Sequence, residues 1–339
     1  MSSDIDAVQG DWEHLESKGL LTAFQTRAWL LPFYKILAPH LNATPVFVLV
    51  RDKSSGLPVM LLPLCSRRLY GLTVIEFADG GISDYNAPLI AKGFDPGASE
   101  WRELWRAVKA ALGQGSMLRL IKMPHLIAGF PNPLLQCMNA TVMDVAAWGT
   151  PLPPTLAEYD AHVASPDFMR SLEKKVRRLA KHGEIGYAAA QTQDEKRAVF
   201  DILAQQRQAR CDVTGWSNTM ADPVYRRYYE SVVDEAPREF LNLGAVRIGG
   251  TVIGTMLALI HGGVFYVILP TYLGTQWQRY SLGSLVIRES VKYCFDHGIG
   301  FFDITIGDEA YKKDFGTAPS NLYYAFEPLT RSAGPPLWP

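Results

Sequence analysis

Apolar residues recur along the chain with two periods, and these sort the sequence into elements. Between 22 and 37, Trp29, Phe33 and Leu37 lie four residues apart and predict a helix. Residues 46–51 and 57–65 are apolar runs joined by Asp52-Lys53-Ser54-Ser55-Gly56, a hairpin-turn sequence, and 72–77 predicts a third strand. A loop rich in glycine and aspartate, 79–86, follows. Residues 101–112 then read as an amphipathic helix closed by Gly113, and 117–123 as a strand.

The second half repeats the order more completely. Residues 167–181 carry Phe168, Leu172, Val176 and Ala180 at a spacing of four, and predict a helix; further helices are predicted at 193–210 and 223–234. The runs 241–248, 252–261 and 264–272, separated by Gly249-Gly250 and Gly262-Gly263, predict a three-strand meander. A helix over 282–297 follows, stopped by Gly298, then a strand at 301–306, a short helix at 309–315 and a last strand at 321–328. Thr150-Pro151-Leu152-Pro153-Pro154-Thr155 reads as a linker, because its three prolines disfavour helix and central strand. The expectation is an α/β (α+β) protein of two domains, 1–150 and 151–339, each with a mixed, mostly antiparallel sheet flanked by helices.

Composition narrows the function classes. A formal net charge of -1 on 339 residues gives no global field towards DNA or an anionic membrane. The acidic stretch 1–19 lacks the basic-then-apolar pattern of a secretory signal. The longest apolar runs, 46–50 and 252–260, fall short of the ~18–20 residues that span a bilayer. Four cysteines at 65, 137, 211 and 294 form no CxxC motif, and free thiols in a reducing, cytoplasmic setting are expected. GxSxG, HExxH, Walker A, a GxGxxG after a strand and a metal-ligand cluster are all absent from the sequence, so no metal cofactor is expected.

The stretch with a mechanism is Gln278-Arg279-Tyr280-Ser281-Leu282-Gly283-Ser284, which opens the helix after the meander. A small-residue loop at a helix N-terminus traps anions, because unpaired N–H groups and the positive end of the dipole face the ligand. A plain Ser281 N-cap is the other reading of the same residues. After the next strand come Asp308, Tyr311 and Lys312, where sheets of this type place ligand groups. A group-transfer reaction needs a base for the nucleophile and an acid for the leaving group. Asp308 suits the base, Tyr311 the acid, and Lys312 a phosphate or a carboxylate. Alternatively these three are a capped short helix with solvated charges. Asp303, mid-strand, is assigned to substrate or, alternatively, to an ion pair or hydrogen bond with a helix or loop, and Tyr272 to substrate or to core or cleft wall; Asp84 and Tyr85 in the glycine-rich loop are also assigned to substrate, with a packed turn as the alternative. Lys174, Lys175, Arg177, Arg178 and Lys181 cover one helix face, either as a solvated surface or as a phosphate site.

Several segments together resemble the CelD/BcsL group of GNAT-type proteins, associated with bacterial cellulose and exopolysaccharide synthesis. They are Phe24-Gln25-Thr26 with Trp29; Ser83-Asp84-Tyr85 with Pro88-Leu89; the basic helix from Ser171 to Gly183; Leu243, Arg247, Gly250 and Tyr272; Arg279-Tyr280-Ser281-Leu282-Gly283; and Phe302-Asp303, Gly307-Asp308 and Tyr311-Lys312. The family loop Gln/Arg-x-x-Gly-x-Gly/Ala appears here as Gln278-x-x-Ser281-x-Gly283. Leu273 stands where the family has an acidic residue and Leu282 where it has proline. The resemblance implies a tandem GNAT-like fold with coenzyme A held at 278–284. It implies an acetyl or other acyl group taken from acyl-CoA and passed to an amine or hydroxyl of a sugar or polysaccharide precursor, with possible contact to exopolysaccharide assembly proteins. Kinship with Fem-type transferases, which take their acyl group from aminoacyl-tRNA, gives tRNA as the alternative donor. A non-catalytic module in the same assembly is the third reading.

Overall fold

The computed structural model describes residues 1–113 and 115–329; the stretch of the expected second domain from 330 on lies outside the described residues. The chain folds as two compact units, Met1–Val145 with the described residues from Asn321, and Ala146–Ser320.

In the first unit, β1 (Thr44–Arg51), β2 (Pro58–Leu69) and β3 (Leu72–Phe77) form an antiparallel meander. Helix α1 (Gln9–Lys18) precedes them, and α2 (Ala98–Ala111) crosses over to β4 (Met117–Pro124), which lies parallel to β3. The next partner of β4 comes from the far end of the chain: the strand Ala318–Pro328 pairs with it antiparallel, Leu322 opposite Pro124. Trp101, Trp105 and Val108 of α2 cover the sheet over Leu62, Leu64, Ile75, Phe77, Leu118 and Leu120. The helix expected at 22–37 is broken into a 3-10 turn Ala23–Gln25, an α-helix Arg27–Pro32 and a π-helical stretch Phe33–Leu37. Pro32 has no N–H to donate, so the regular ladder cannot run through it.

The second unit has the same order. Its strands are β5 (Thr141–Pro151), whose residues from Ala147 pair within this unit, β6 (Ile185–Ala189), β7 (Leu241–Ile248), β8 (Thr251–His261), β9 (Val264–Tyr272) and β10 (Phe301–Ile306). Strands β6 to β9 form an antiparallel meander. The β7–β8 and β8–β9 turns are Gly249-Gly250 and Gly262-Gly263, all four with positive φ, as a tight hairpin with the twist of its strands requires. Helices α3 (Pro166–Leu179), α4 (Gln193–Thr214) and α5 (Pro223–Glu235) precede β7, and α6 (Leu282–Asp296) links β9 to β10. β10 is parallel to β9 and antiparallel to β5, Phe301 opposite Pro151. Thr150 and Pro151, read from sequence as linker, therefore end a strand. Proline is tolerated there because it is the last residue, where a missing N–H breaks no interior rung. Leu285, Val286, Val291 and Cys294 of α6 pack on Met256, Ala258, Phe265, Val267 and Phe302.

The fold is thus the mixed α/β architecture expected, with mostly antiparallel sheet flanked by helices. All four cysteines are free, and burial pushes the Cys65 thiol up to about 12. No helix among the described residues is long and apolar enough to cross a membrane.

Candidate functional site

The site lies where β9 and β10 part. They share three parallel rungs, Val264–Phe301, Phe265–Phe302 and Tyr266–Asp303, and then stop pairing. Two irregularities force the separation. On β9, Leu257 of β8 faces Leu269 while Ala258 faces Val267, so Ile268 is an extra, bulged residue. On β10, Asp303 faces Gly149 while Thr305 faces Trp148, so Ile304 is extra. The Asp303 carboxylate accepts the Thr305 N–H at 2.7 Å, Thr305 is left-handed at φ 55°, and its hydroxyl donates to the Val267 carbonyl at 2.9 Å. Bulges bend strands and re-aim side chains beside active sites. Here they open a cavity of about 550 Å³, within the usual ~300–1,000 Å³ of ligand pockets.

The α6 N-terminus forms one wall through Ser281, Leu282, Gly283 and Ser284, with Gln278 before them. A 3-10 turn, Thr275–Tyr280, leads in, and Ser281 makes the corner in the left-handed conformation at φ 54°, ψ 51°. Ser281 holds the N-cap position but gives the helix no side-chain cap; its hydroxyl accepts from Lys175 Nζ at 2.8 Å. The first N–H groups of α6 thus meet no capping side chain, and a lysine adds charge at the same end. Gly283 permits a close approach: a Cβ there would stand 2.9 Å from Cε1 of Tyr272. Tyr280 is buried away from the lining and its hydroxyl meets His182 Nε2 at 2.8 Å, while the Arg279 guanidinium lies 4.9 Å over the Tyr280 ring. These two residues position the loop.

Ser281→Gly tests that corner. A left-handed residue with a Cβ costs about 1–2 kcal/mol, and glycine's greater unfolded-state freedom offsets about 0.5–1 kcal/mol. A gain of about 0.5 kcal/mol in the free energy of urea unfolding is expected; a loss above about 1 kcal/mol would mean that the Lys175 contact outweighs the strain.

The remaining walls carry the ionisable groups. Tyr311, at the start of the short helix α7 (Tyr311–Asp314), is half-buried; burial first, and the Glu309 charge second, push its hydroxyl up to about 12. Lys312 is 2 % exposed. Its Nζ donates to the carbonyls of Thr305 at 3.2 Å and Ile306 at 2.9 Å, and pairs with Glu309 at 3.3 Å. Of the residues selected from sequence, Gln278, Ser281, Leu282, Gly283, Ser284, Tyr272, Tyr311 and Lys312 line the cavity. Asp303 shapes it from behind. Asp308 is exposed, outside the lining, and accepts from Trp148 Nε1 at 3.4 Å. Asp84 and Tyr85 belong to the first unit and do not line this cavity. Tyr85 is buried, with its ring edge-on to Phe24 at 5.5 Å and its carbonyl accepting from Gln25 Nε2 at 2.8 Å.

Sequence reading passed over Arg207, Arg210 and Trp216 on the α4 side and Glu309 beside Tyr311, all in the lining. The signal was there on α4. Its buried stripe of Val199 and Leu203 continues at helical spacing into Gln206, Arg207 and Arg210. Gln206 is buried because its carbonyl oxygen accepts from the hydroxyls of Thr255 at 3.0 Å and Thr271 at 2.9 Å, which ties α4 to β8 and β9.

Residues 166–313 match the family described as Acetyltransferase (GNAT) domain. The whole chain is similar in fold to FemX (TM-score 0.61, 10% identity, 96% of each chain). It is also similar to the C-terminal domain of a putative lysylphosphatidylglycerol synthetase from Agrobacterium fabrum (TM-score 0.57, 11% identity, 96% of this chain and 92% of that one). A tandem GNAT protein from the clavulanic acid biosynthesis pathway aligns over 98% of each chain, with TM-score 0.51 and 14% identity. No curated protein matches by sequence. The match to a GNAT domain thus falls within the second unit, and the fold of the chain is similar to that of tandem GNAT proteins.

Proposed function

We propose that the protein is an acyltransferase that takes an acyl group, acetyl in the simplest case, from acyl-CoA. The acceptor is an amine or hydroxyl, and a sugar or polysaccharide precursor fits the CelD/BcsL resemblance. The observation that carries this reading is the uncapped α6 N-terminus, with Gly283 and Ser284 beside it, opening into the gap between β9 and β10. Gly283 is what lets a pyrophosphate approach the backbone, since a Cβ there would already crowd Tyr272. Coenzyme A would supply the activated acyl thioester, held at Gln278, Ser281, Gly283 and Ser284 with Lys175 beside them. Glu309 takes the proton from the attacking group, being the carboxylate in the lining. Tyr311 gives a proton to the departing sulfur; with its hydroxyl held up to about 12, it is protonated throughout the physiological range.

Acetyl-CoA at about 100 times its Kd stabilises by about 2.7 kcal/mol, and a rise in Tm of about 5 °C is expected. Tyr311→Phe should bind it equally well and lose about 10²–10⁴-fold in kcat. The wild-type rate should not fall through Tyr311 deprotonation below about pH 11, since a group raised to about 12 loses its proton only as pH rises through that value. No stabilisation by acetyl-CoA or longer acyl-CoAs would sink the reading.

One observation favours a second donor. Lys175, at the α6 N-terminus, lies on α3, whose exposed residues include Lys174, Arg177 and Arg178, with Lys181 just beyond. That face reaches further than a pyrophosphate needs and suits aminoacyl-tRNA. It predicts tRNA binding that weakens with salt and with neutralisation of these residues.

A further inference from the structure

Four half-buried arginines lie in the second unit, and two of them hold carboxylates: Arg226 pairs with Asp201 and Glu230, and Arg288 with Asp160. The other two, Arg207 and Arg210, line the cavity, and among the described residues neither has a carboxylate partner. Arg210 has its guanidinium carbon 4.7 Å from the centre of the Tyr272 ring and 5.2 Å from that of Trp216. Aromatic faces satisfy the planes of a guanidinium and leave its N–H edge unspent. Arg207, one turn earlier, is oriented by its Nε, which donates to Asn218 Oδ1 at 3.1 Å. A fork of donors fixed in this way matches the paired oxygens of a carboxylate or phosphate. The opposite charge in the same cavity is Glu309, beside Tyr311.

We infer that the acceptor is an amine that also carries an oxyanion, with Arg210 and Arg207 holding the oxyanion and Glu309 facing the amine. This rests on the acyl-transfer reading of the cavity. The separation of charges excludes a neutral amino sugar as the preferred acceptor and selects compounds such as amino-sugar phosphates, amino uronates or amino acids. Tyr272 touches both Arg210 and Gly283 of the α6 N-terminus, so its ring stands between the arginine and the donor loop.

Calorimetry on the full chain with matched pairs tests this: glucosamine 6-phosphate against glucosamine, and an amino acid against its amide. The anionic member of at least one pair should bind the wild type about tenfold tighter, which is 1.4 kcal/mol. Arg210→Met, which keeps the apolar stem between the rings, should erase that difference and leave the Kd of acetyl-CoA within about threefold. Arg210→Lys, which keeps charge without the fork, should fall between. Equal binding within both pairs overturns the proposal. So does an Arg210→Met variant that loses acetyl-CoA while keeping the anionic acceptor, because the arginine would then serve the donor's phosphates. Arginine-dependent binding of an anionic amine, with no acetyl-CoA binding by the wild type, upholds the anion site and removes the acyl-CoA reading instead.

Discussion

Gly283→Glu is expected to abolish acetyl-CoA binding while leaving the protein folded. Two effects act together. The new Cβ would sit 2.9 Å from Cε1 and 3.3 Å from Cδ1 of Tyr272, so the ring, which is cavity wall, must shift. The carboxylate then stands at a helix N-terminus, where it satisfies the N–H groups and dipole that a phosphate would otherwise meet. Loss of that interaction and like-charge repulsion together exceed about 2.8 kcal/mol, or about 100-fold in Kd. Stability should hold, because replacing glycine inside a helix gains up to about 1 kcal/mol of propensity and offsets the local crowding. Calorimetry reads the binding and circular dichroism the fold. Gly283→Ala, which crowds the ring without adding charge, should lose less. Unchanged binding in the glutamate variant would remove this loop from the donor site.

The largest effect on stability is expected at Lys312. The side chain is 2 % exposed, and its Nζ contacts to Thr305, Ile306 and Glu309 have a structural reason. β10 stops pairing with β9 after Asp303 but still pairs with β5 at Thr305 and Ile306, and the carbonyls of these two residues accept from this amine. Lys312→Met keeps the stem and removes the donor. Each buried carbonyl left without its donor costs about 1–3 kcal/mol. The Glu309 pair adds little, because that carboxylate is 47% exposed and screened by water. A loss of about 2–4 kcal/mol in urea unfolding at unchanged slope is expected. The lysine is then a positioning residue that holds Tyr311 and Glu309 at the cavity, and activity should fall with it. A variant of wild-type stability with no activity would give Lys312 a direct part in the chemistry.

How much of this was readable beforehand differs by element. The strands at 241–248, 264–272 and 301–306 match their predicted ends; glycine pairs with positive φ turn the chain after 248 and before 264, and Gly307, also at positive φ, follows the last strand. Helix α1 escaped notice: it buries only Trp12 and Leu15 in ten residues, too sparse a stripe to show as a period. β6 is half exposed and carries two alanines and a glycine, so its composition does not signal a strand. The anion loop was legible as a motif, but the choice between an N-cap and a ligand site was not. What sequence could not show is that the Ser281 hydroxyl accepts from Lys175 and does not cap the helix, a contact made across 106 positions of sequence. Arg207 and Arg210 were missed because cations on a helix read as solvent-facing until the aromatic rings around them are known.

The order in which paired strands occur along the chain also sets a timetable for synthesis. β4 leaves the ribosome early, while its neighbour Ala318–Pro328 is nearly the last of the described chain to emerge. β5 arrives first and waits for β10 in the same way. At about 5–20 residues per second, the nascent first unit passes roughly ten seconds or more with one edge of β4 open, an invitation to pair with another chain. The second unit, by contrast, completes its sheet as soon as β10 is made. Production of this protein is therefore most vulnerable during translation, when chaperone cover of one bare strand decides between a finished molecule and an aggregate.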